Sequence, residues 1–260
     1  MNLIKLRKAI FSKSVLRGFI SVGGLIAFWE LGRRLQLPGL AVVPAPSEVF
    51  AALSDIVAKP EFWDHWYASF TRVLGGFIAA QLIGIPLGLM MAMNRYFHAF
   101  TFPLLEIMRP IPPLAWVPAA IIFWPTTELS IGFVIFLGAF FTVVVNVIGS
   151  ARNIDVRYLR AAQSLGSRPI DIFKRIILPA VLPGIFIGMA VGMGITWEVV
   201  VAAEMIAGKS GLGYLTWSSY VGGNYPQIII GMISIGIAGY ISSSLIRLFG
   251  RFVTPWQSTQ

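Results

Sequence analysis

The chain of 260 residues is 57% hydrophobic and only 12% charged, with a mean hydropathy of +0.78; this balance excludes a water-soluble domain and suits a polytopic membrane protein. Cysteine is absent, which excludes a disulfide framework, a thiol nucleophile and a thiolate metal site, and His65 and His98 have no partners at metal-ligand spacing. In such a chain the net charge of +9 reports which loops stay in the cytoplasm rather than a nucleic-acid partner.

About 20 apolar residues of helix cross a hydrocarbon core, and six segments have that length: 18–35, 69–93, 100–124, 129–149, 179–206 and 228–249. The expected fold is all-α and polytopic, with about six transmembrane helices. Residues 1–17 carry Lys5, Arg7, Lys8, Lys13 and Arg17 without an acid, whereas 36–68 hold Glu48, Asp55, Glu61 and Asp64 against Lys59. The N-terminus is therefore expected in the cytoplasm and 36–68 in the periplasm. A cleavable signal peptide would need small residues where Glu30, Arg33 and Arg34 follow the first apolar run. Five further spans make a core of 69–249, with the turn near Arg95 inside, that near Glu128 outside, and the tail 250–260 inside.

Charged groups inside spans are costly and mark function by default; Glu30, Arg72, Glu106, Arg109, Glu198 and Glu204 stand in such positions. Glu106 and Arg109, three apart on one face, have two readings. They satisfy each other, or Arg109 faces a central passage and offers its paired donors to an oxyanion. The run from Pro110 to Pro118, with Pro112, Pro113 and Trp116, lacks several backbone donors, so this span must be kinked or unwound. Irregular backbone at membrane depth sits against protein or a water-filled cavity, which places the run beside the passage, the other reading being a packing kink.

The segment 152–178 is the basic loop, with Arg152, Arg157, Arg160, Arg168, Lys174 and Arg175 against Asp155 and Asp171. Val156, Leu159, Ala162 and Leu165 share one face of a helix over 155–165. Gly166 ends that helix in the left-handed conformation, Ser167 caps the next, Pro169 suits its first turn and Asp171 meets the helix dipole. A cytoplasmic elbow of two helices is expected, and Pro179, Pro183 and Gly184 then send the chain back into the bilayer at a kink. An interfacial helix lying on headgroups is the plainer alternative. The fifth span carries Gly184, Gly188 and Gly192 at intervals of four, a stripe that lets another helix approach. Beyond it Trp197 and Glu198 narrow the passage, or Glu198 partners a base. The stretch AEMIAGKS (203–210) imitates a phosphate-binding loop, but Ala203 replaces the first glycine and a span precedes it, so ATP is not expected there.

The spacing Ala161-Ala162, Gly166, Ile176, Leu178-Pro179 resembles the "EAA" coupling loop of the permease subunits of bacterial binding-protein-dependent ABC importers, with Arg160 where that family has its leading Glu. The segments 42–53, 109–124, 160–166, 200–215 and 254–256 are similar to the nitrate, sulfonate, taurine and bicarbonate branch of those permeases. The resemblance implies that Arg160, Ala161, Ala162, Leu165, Gly166, Arg168, Asp171, Leu178 and Pro179 couple to an ATPase. From their charge or their irregular backbone at membrane depth, Arg109, Pro112, Pro113, Trp116, Trp197, Glu198 and Glu204 are expected on the translocation path. The expected assembly is a pair of permeases, a homodimer, in the inner membrane, with two ATPase subunits that hold ATP and Mg and a periplasmic binding protein delivering a small oxyanion or organosulfonate. The chain itself is expected to hold no cofactor and to catalyse nothing. The competing function is an ion-coupled secondary transporter with Glu198 or Glu106 carrying a proton; the lack of an internal repeat and an elbow without a task argue against it. A membrane enzyme would need a nucleophile and base, a metal cluster or paired carboxylates, and the sequence has none at suitable spacing.

Overall fold

The computed structural model describes residues 13–256; Lys5, Arg7 and Lys8 of the basic N-terminus and residues 257–260 of the tail lie outside them. Helices and the loops between them make up the whole described chain. They are α1 (Lys13–Arg34), α2 (Pro46–Val57), α3 (Pro60–Met93) and α4 (Arg95–Met108), then a 3₁₀ turn (Pro113–Trp116) with α5 (Val117–Phe123). There follow α6 (Thr127–Arg152), α7 (Val156–Ser164), a short α8 (Pro169–Ile172) running through a π turn (Phe173–Ile177) into α9 (Leu178–Ala207), α10 (Leu212–Val221) and α11 (Tyr225–Val253).

Four helical runs are long and apolar enough to cross a membrane: α3, α6, the continuous Pro169–Ala207 run and α11. The pair formed by α4 and Pro113–Phe123, bent by 85°, makes a fifth. The first expected span is helical as α1 but is not among these. Its 22 residues make about 33 Å of helix, enough for a core of about 30 Å. The expected outer segment 36–68 contains α2, whose N-cap backbone N–H donates to Glu48, and the first turns of α3. Glu30 ties α1 to α2 by accepting from the backbone N–H and hydroxyl of Ser47.

α6 is the centre of the bundle. Two thirds of its most apolar window is buried, against 39% or less in each of the other spans, because α3 and α9 both pack along it. Glycines permit the approach: a Cβ at Gly84 would stand 2.6 Å from Val143, and one at Gly88 2.8 Å from Val147. On the other side Gly184 faces Ser150, a Cβ at Gly188 would stand 2.8 Å from Asn146, and Gly192 has room beside Ala139. Where apolar burial gives helices little reason to associate in lipid, such close backbone approach supplies the van der Waals contact.

Candidate functional site

The elbow is built by local chemistry. Asp155 caps α7, accepting from the Arg157 backbone N–H at 2.9 Å and from its guanidinium. That guanidinium, and then the backbone bond, hold the Asp155 carboxyl below the usual carboxylate range. Gly166 adopts φ +74°, and the Ser167 N–H reaches back to the Ala162 carbonyl at 3.0 Å while the Leu165 N–H bonds that of Ala161, a C-terminal cap only a left-handed residue completes. Pro169 and Asp171 occupy the first turn of α8 as expected, but the cap residue is Arg168 and no side chain caps the helix. The expected Ser167 cap is therefore corrected: its backbone is committed to closing α7, which leaves its hydroxyl one residue early.

The apolar side of α7 divides. Leu159 and Ala162 are half-buried, whereas Val156 is exposed and Leu165 is 85% exposed. Arg160, Ala161 and Arg168 are exposed as well; Ile172 is the one fully buried residue of the elbow, and Ile154 and Ile177 at its two ends pack half-buried against the core. Beside the turn, Ser167, Asp171, Ile172, Arg175 and Ile176 line an open cavity of about 230 Å³. The re-entry differs from expectation. Ahead of Pro179 the helix widens to a π turn over Phe173–Ile177, with Leu178 donating back to the Phe173 carbonyl, and the helix then runs on through Pro183. The missing N–H of Pro179 leaves the preceding turn without an ordinary α bond, and a wider turn absorbs this without breaking the rod.

The broken span has the irregular backbone its prolines require. Arg109 is the C-cap of α4, Pro113 opens the 3₁₀ turn, and the two halves meet at 85°. Arg109 and Pro112 are exposed and Pro113 and Trp116 half-buried. Glu106 and Arg109 do not form an ion pair; both border a narrow cleft against Phe102 and Leu105 of α4 and Phe141 and Val144 of α6. Trp116 packs edge-on to Phe133 at 6.5 Å, and its indole N–H is buried without an acceptor. Near the N-terminal end of α4, His98 stacks on Phe102 at 4.6 Å and meets the Arg152 guanidinium at 2.5 Å.

On α9, Trp197 and Glu198 point to different surroundings. Trp197 is 2% exposed, donates its indole N–H to Ser242 of α11 at 2.9 Å, and so serves as an interhelical tie in this arrangement. Glu198 is exposed. Glu204, expected on the path, is fully enclosed. Its carboxylate accepts from Arg72 at 2.9 Å, Ser69 at 2.8 Å and the Gly213 backbone N–H at 2.9 Å. Arg72 also forms a bidentate pair with Glu128 at 2.7 and 2.6 Å and donates to the Ser210 carbonyl at 2.6 Å. This cluster joins α3, α6, α9 and α10 at one end of the bundle. Gly211, at φ +117°, stands where any Cβ would strike the Glu204 carboxylate, and its N–H donates to His65 at 3.0 Å.

Sequence reasoning singled out Arg72 and Glu204 but not Glu128, Ser69 or Ser210. The signal lay in GKSGLG (208–213), whose closely spaced glycines after a buried acid fold the chain around that acid and not around a phosphate. Among the described residues no three His, Asp or Glu side chains gather as metal ligands.

Comparison with known proteins places this architecture. Residues 84–259 match the family described as the binding-protein-dependent transport system inner membrane component. A putative ABC transporter permease of Methanocaldococcus jannaschii is 35% identical over 227 residues, 85% of each chain. The nitrate import permease protein NrtB of Synechocystis sp. is 31% identical, covering 95% of this chain and 92% of its own; the taurine transport system permease protein TauC of Escherichia coli is 31% identical, covering 94% and 91%. In fold, the chain is similar to one from the inward-facing MetNI methionine ABC transporter, with a TM-score of 0.63 at 18% identity over 78% of this chain and 100% of that one. The helical bundle, its broken span and its solvent-facing elbow thus belong to a permease subunit of the binding-protein-dependent ABC importers, an inner-membrane component of that family.

Proposed function

We propose that two copies of this chain form the translocation path for a small oxyanion or organosulfonate, with both termini in the cytoplasm. ATP and Mg are held by two separate ATPase subunits seated on the elbow at 152–178, and a periplasmic binding protein delivers the solute. The observation that carries the coupling role is Leu165. A leucine 85% exposed, at the tip of a capped turn and flanked by Arg160 and Arg168, is an apolar knob without a socket in its own chain. The substrate class is supported by the nitrate and taurine permeases that the chain resembles along almost its full length, and by the exposed Arg109 beside the broken span. That span, with 69–249 as its core, supplies the unwound backbone expected next to a polar passage. Arg109, Pro112, Pro113, Trp116 and Glu198 remain assigned to the path, whereas Trp197 and Glu204 act from the core behind it. Arg160 in place of an acid makes the docking surface more basic, so its groove on the ATPase is expected to carry the matching acid.

The test is reconstitution in liposomes with the cognate ATPase and binding protein, followed by ATP-dependent uptake of labelled nitrate and labelled taurine. Uptake of one of them, lost when the ATPase is omitted, supports the assignment. Uptake driven by a proton gradient without ATPase overturns it.

A further inference from the structure

Gln81 is the anomaly of the membrane interior. It sits at the middle of the 69–93 apolar segment, is 8% exposed, and neither its amide nitrogen nor its amide oxygen is bonded to any protein group. Among the described residues Gln81 alone leaves both a donor and an acceptor buried without a partner, the other unbonded groups being single N–H donors such as that of Trp116, whereas Thr142 bonds the Gly138 carbonyl, Asn146 that of Thr142, Thr196 that of Gly192 and Ser242 that of Ala238. Those residues bond within their own helix, as hydroxyls and short amides can. The longer Gln81 side chain has no bond of this kind and presents two donors and an acceptor to its surroundings.

The surroundings are set by three helices. Gly84, one turn along, packs against Phe140 and Val143 of α6, and Gly192 of α9 packs against Ala139, so α3, α6 and α9 converge at this level. Three turns in the other direction on the same face of α3, the ring of Phe70 lies 6.4 Å from that of Trp197 on α9. The face of α3 that carries Gln81 thus meets α6 through Gly84 and α9 through Phe70. A sealed, unpaired amide is unfavourable in any interior and most of all at membrane depth. A methionine or leucine would fill the same volume without that cost. A permease must open and close a passage between its helices, so a group unsatisfied in one arrangement has its partner in another.

We propose that Gln81 is a solute-contacting residue of the translocation path, covered in the present arrangement and uncovered when α3 and α9 part. Its amide N–H groups then replace water around a solute rich in acceptor oxygens. The choice of solute rests on the function proposed above; the placement of Gln81 does not.

The chain has no cysteine of its own, so Gln81→Cys introduces a single thiol into it. In the complex reconstituted with ATPase and binding protein, that thiol is exposed to a charged methanethiosulfonate reagent in nucleotide-free, ATP-bound and vanadate-trapped states, and the mass of this chain is followed. Labelling at least tenfold faster in one state than in another is expected, with Val73→Cys, buried on the same helix, unreactive throughout. Equal, slow labelling in all three states overturns the proposal, as does equal reactivity of Val73→Cys. Protection by nitrate or taurine confirms the solute class; state-dependent labelling that neither slows keeps Gln81 on the path and rejects the oxyanion and sulfonate reading. As a second variant, Gln81→Met is expected to match or exceed the wild-type melting temperature while uptake falls at least fivefold. Wild-type uptake by Gln81→Met overturns the proposal even if the cysteine variant does not assemble.

Discussion

Glu204 accepts from a guanidinium, a hydroxyl and a backbone N–H while wholly enclosed, and Arg72 answers with donors to two carboxylates and a carbonyl. Removing one partner strands the other. Arg72→Leu is expected to destabilise the folded chain by about 3–5 kcal/mol, read as a loss of thermal stability in detergent, because it leaves a buried carboxylate without its counter-charge. Replacing Arg72 and Glu204 together by methionine is expected to recover most of that loss. Gly211→Ala brings both a strained φ and a Cβ against the Glu204 carboxylate, with an expected cost of about 1–3 kcal/mol by the same assay. At this scale the sequence was half legible. The expense of a charge inside a span singled out Arg72 and Glu204, but Glu128 and Ser210 lie 56 and 138 residues from Arg72, and no local pattern announces so distant a partner.

Elements read more easily than residues because their signals are local. Asp155, Gly166 and Pro169 state the beginnings and end of the elbow helices, and the prolines from 110 to 118 state that a span breaks. The shift of the cap from Ser167 to Arg168, and the π turn ahead of Pro179, were not legible: both follow from competition between adjacent bonds that composition does not reveal. The elbow also carries its own test. Gly166→Ala keeps the elbow's chemistry but imposes a side chain at φ +74°, a strain of about 1 kcal/mol, and is expected to lower ATPase affinity only modestly. Leu165→Asp, which leaves the fold of this chain untouched because the side chain touches almost nothing in it, is expected to abolish co-purification of the ATPase. Arg109→Gln belongs to the broken span: uptake of an anion is expected to weaken at least severalfold with assembly intact, and unchanged uptake kinetics would remove Arg109 from the path.

At the scale of the molecule, α6 is the helix around which the others are laid, and the glycines of α3 and α9 fix how close they lie. Gly188→Leu is expected to separate α9 from Asn146 and to destabilise the bundle, checked by thermal unfolding and by loss of assembled complex. Hydropathy alone located α6, α9 and α11 to within a few residues, and α3 at its C-terminal end only, because its first nine residues carry Glu61 and Asp64 and lie outside the apolar run. It was less informative for the broken span, where 85° of bend cannot be read from a list of prolines.

The continuous run from Pro169 to Ala207 contains 39 residues, about 58 Å of helix at the usual rise, more than the roughly 40–45 Å of a whole bilayer. One end is the elbow and the other carries Glu204, so the run links the exposed elbow to the buried Arg72–Glu204 contact in one continuous helix. Tilting such a rod by about 5° sweeps its far end through about 5 Å, nearly the rise of one helical turn. That displacement exceeds the 2.9 Å contact between Arg72 and Glu204. A small rotation imposed on the elbow is therefore expected to part Arg72 from Glu204, which a disulfide introduced between α3 and α9 at that end would prevent.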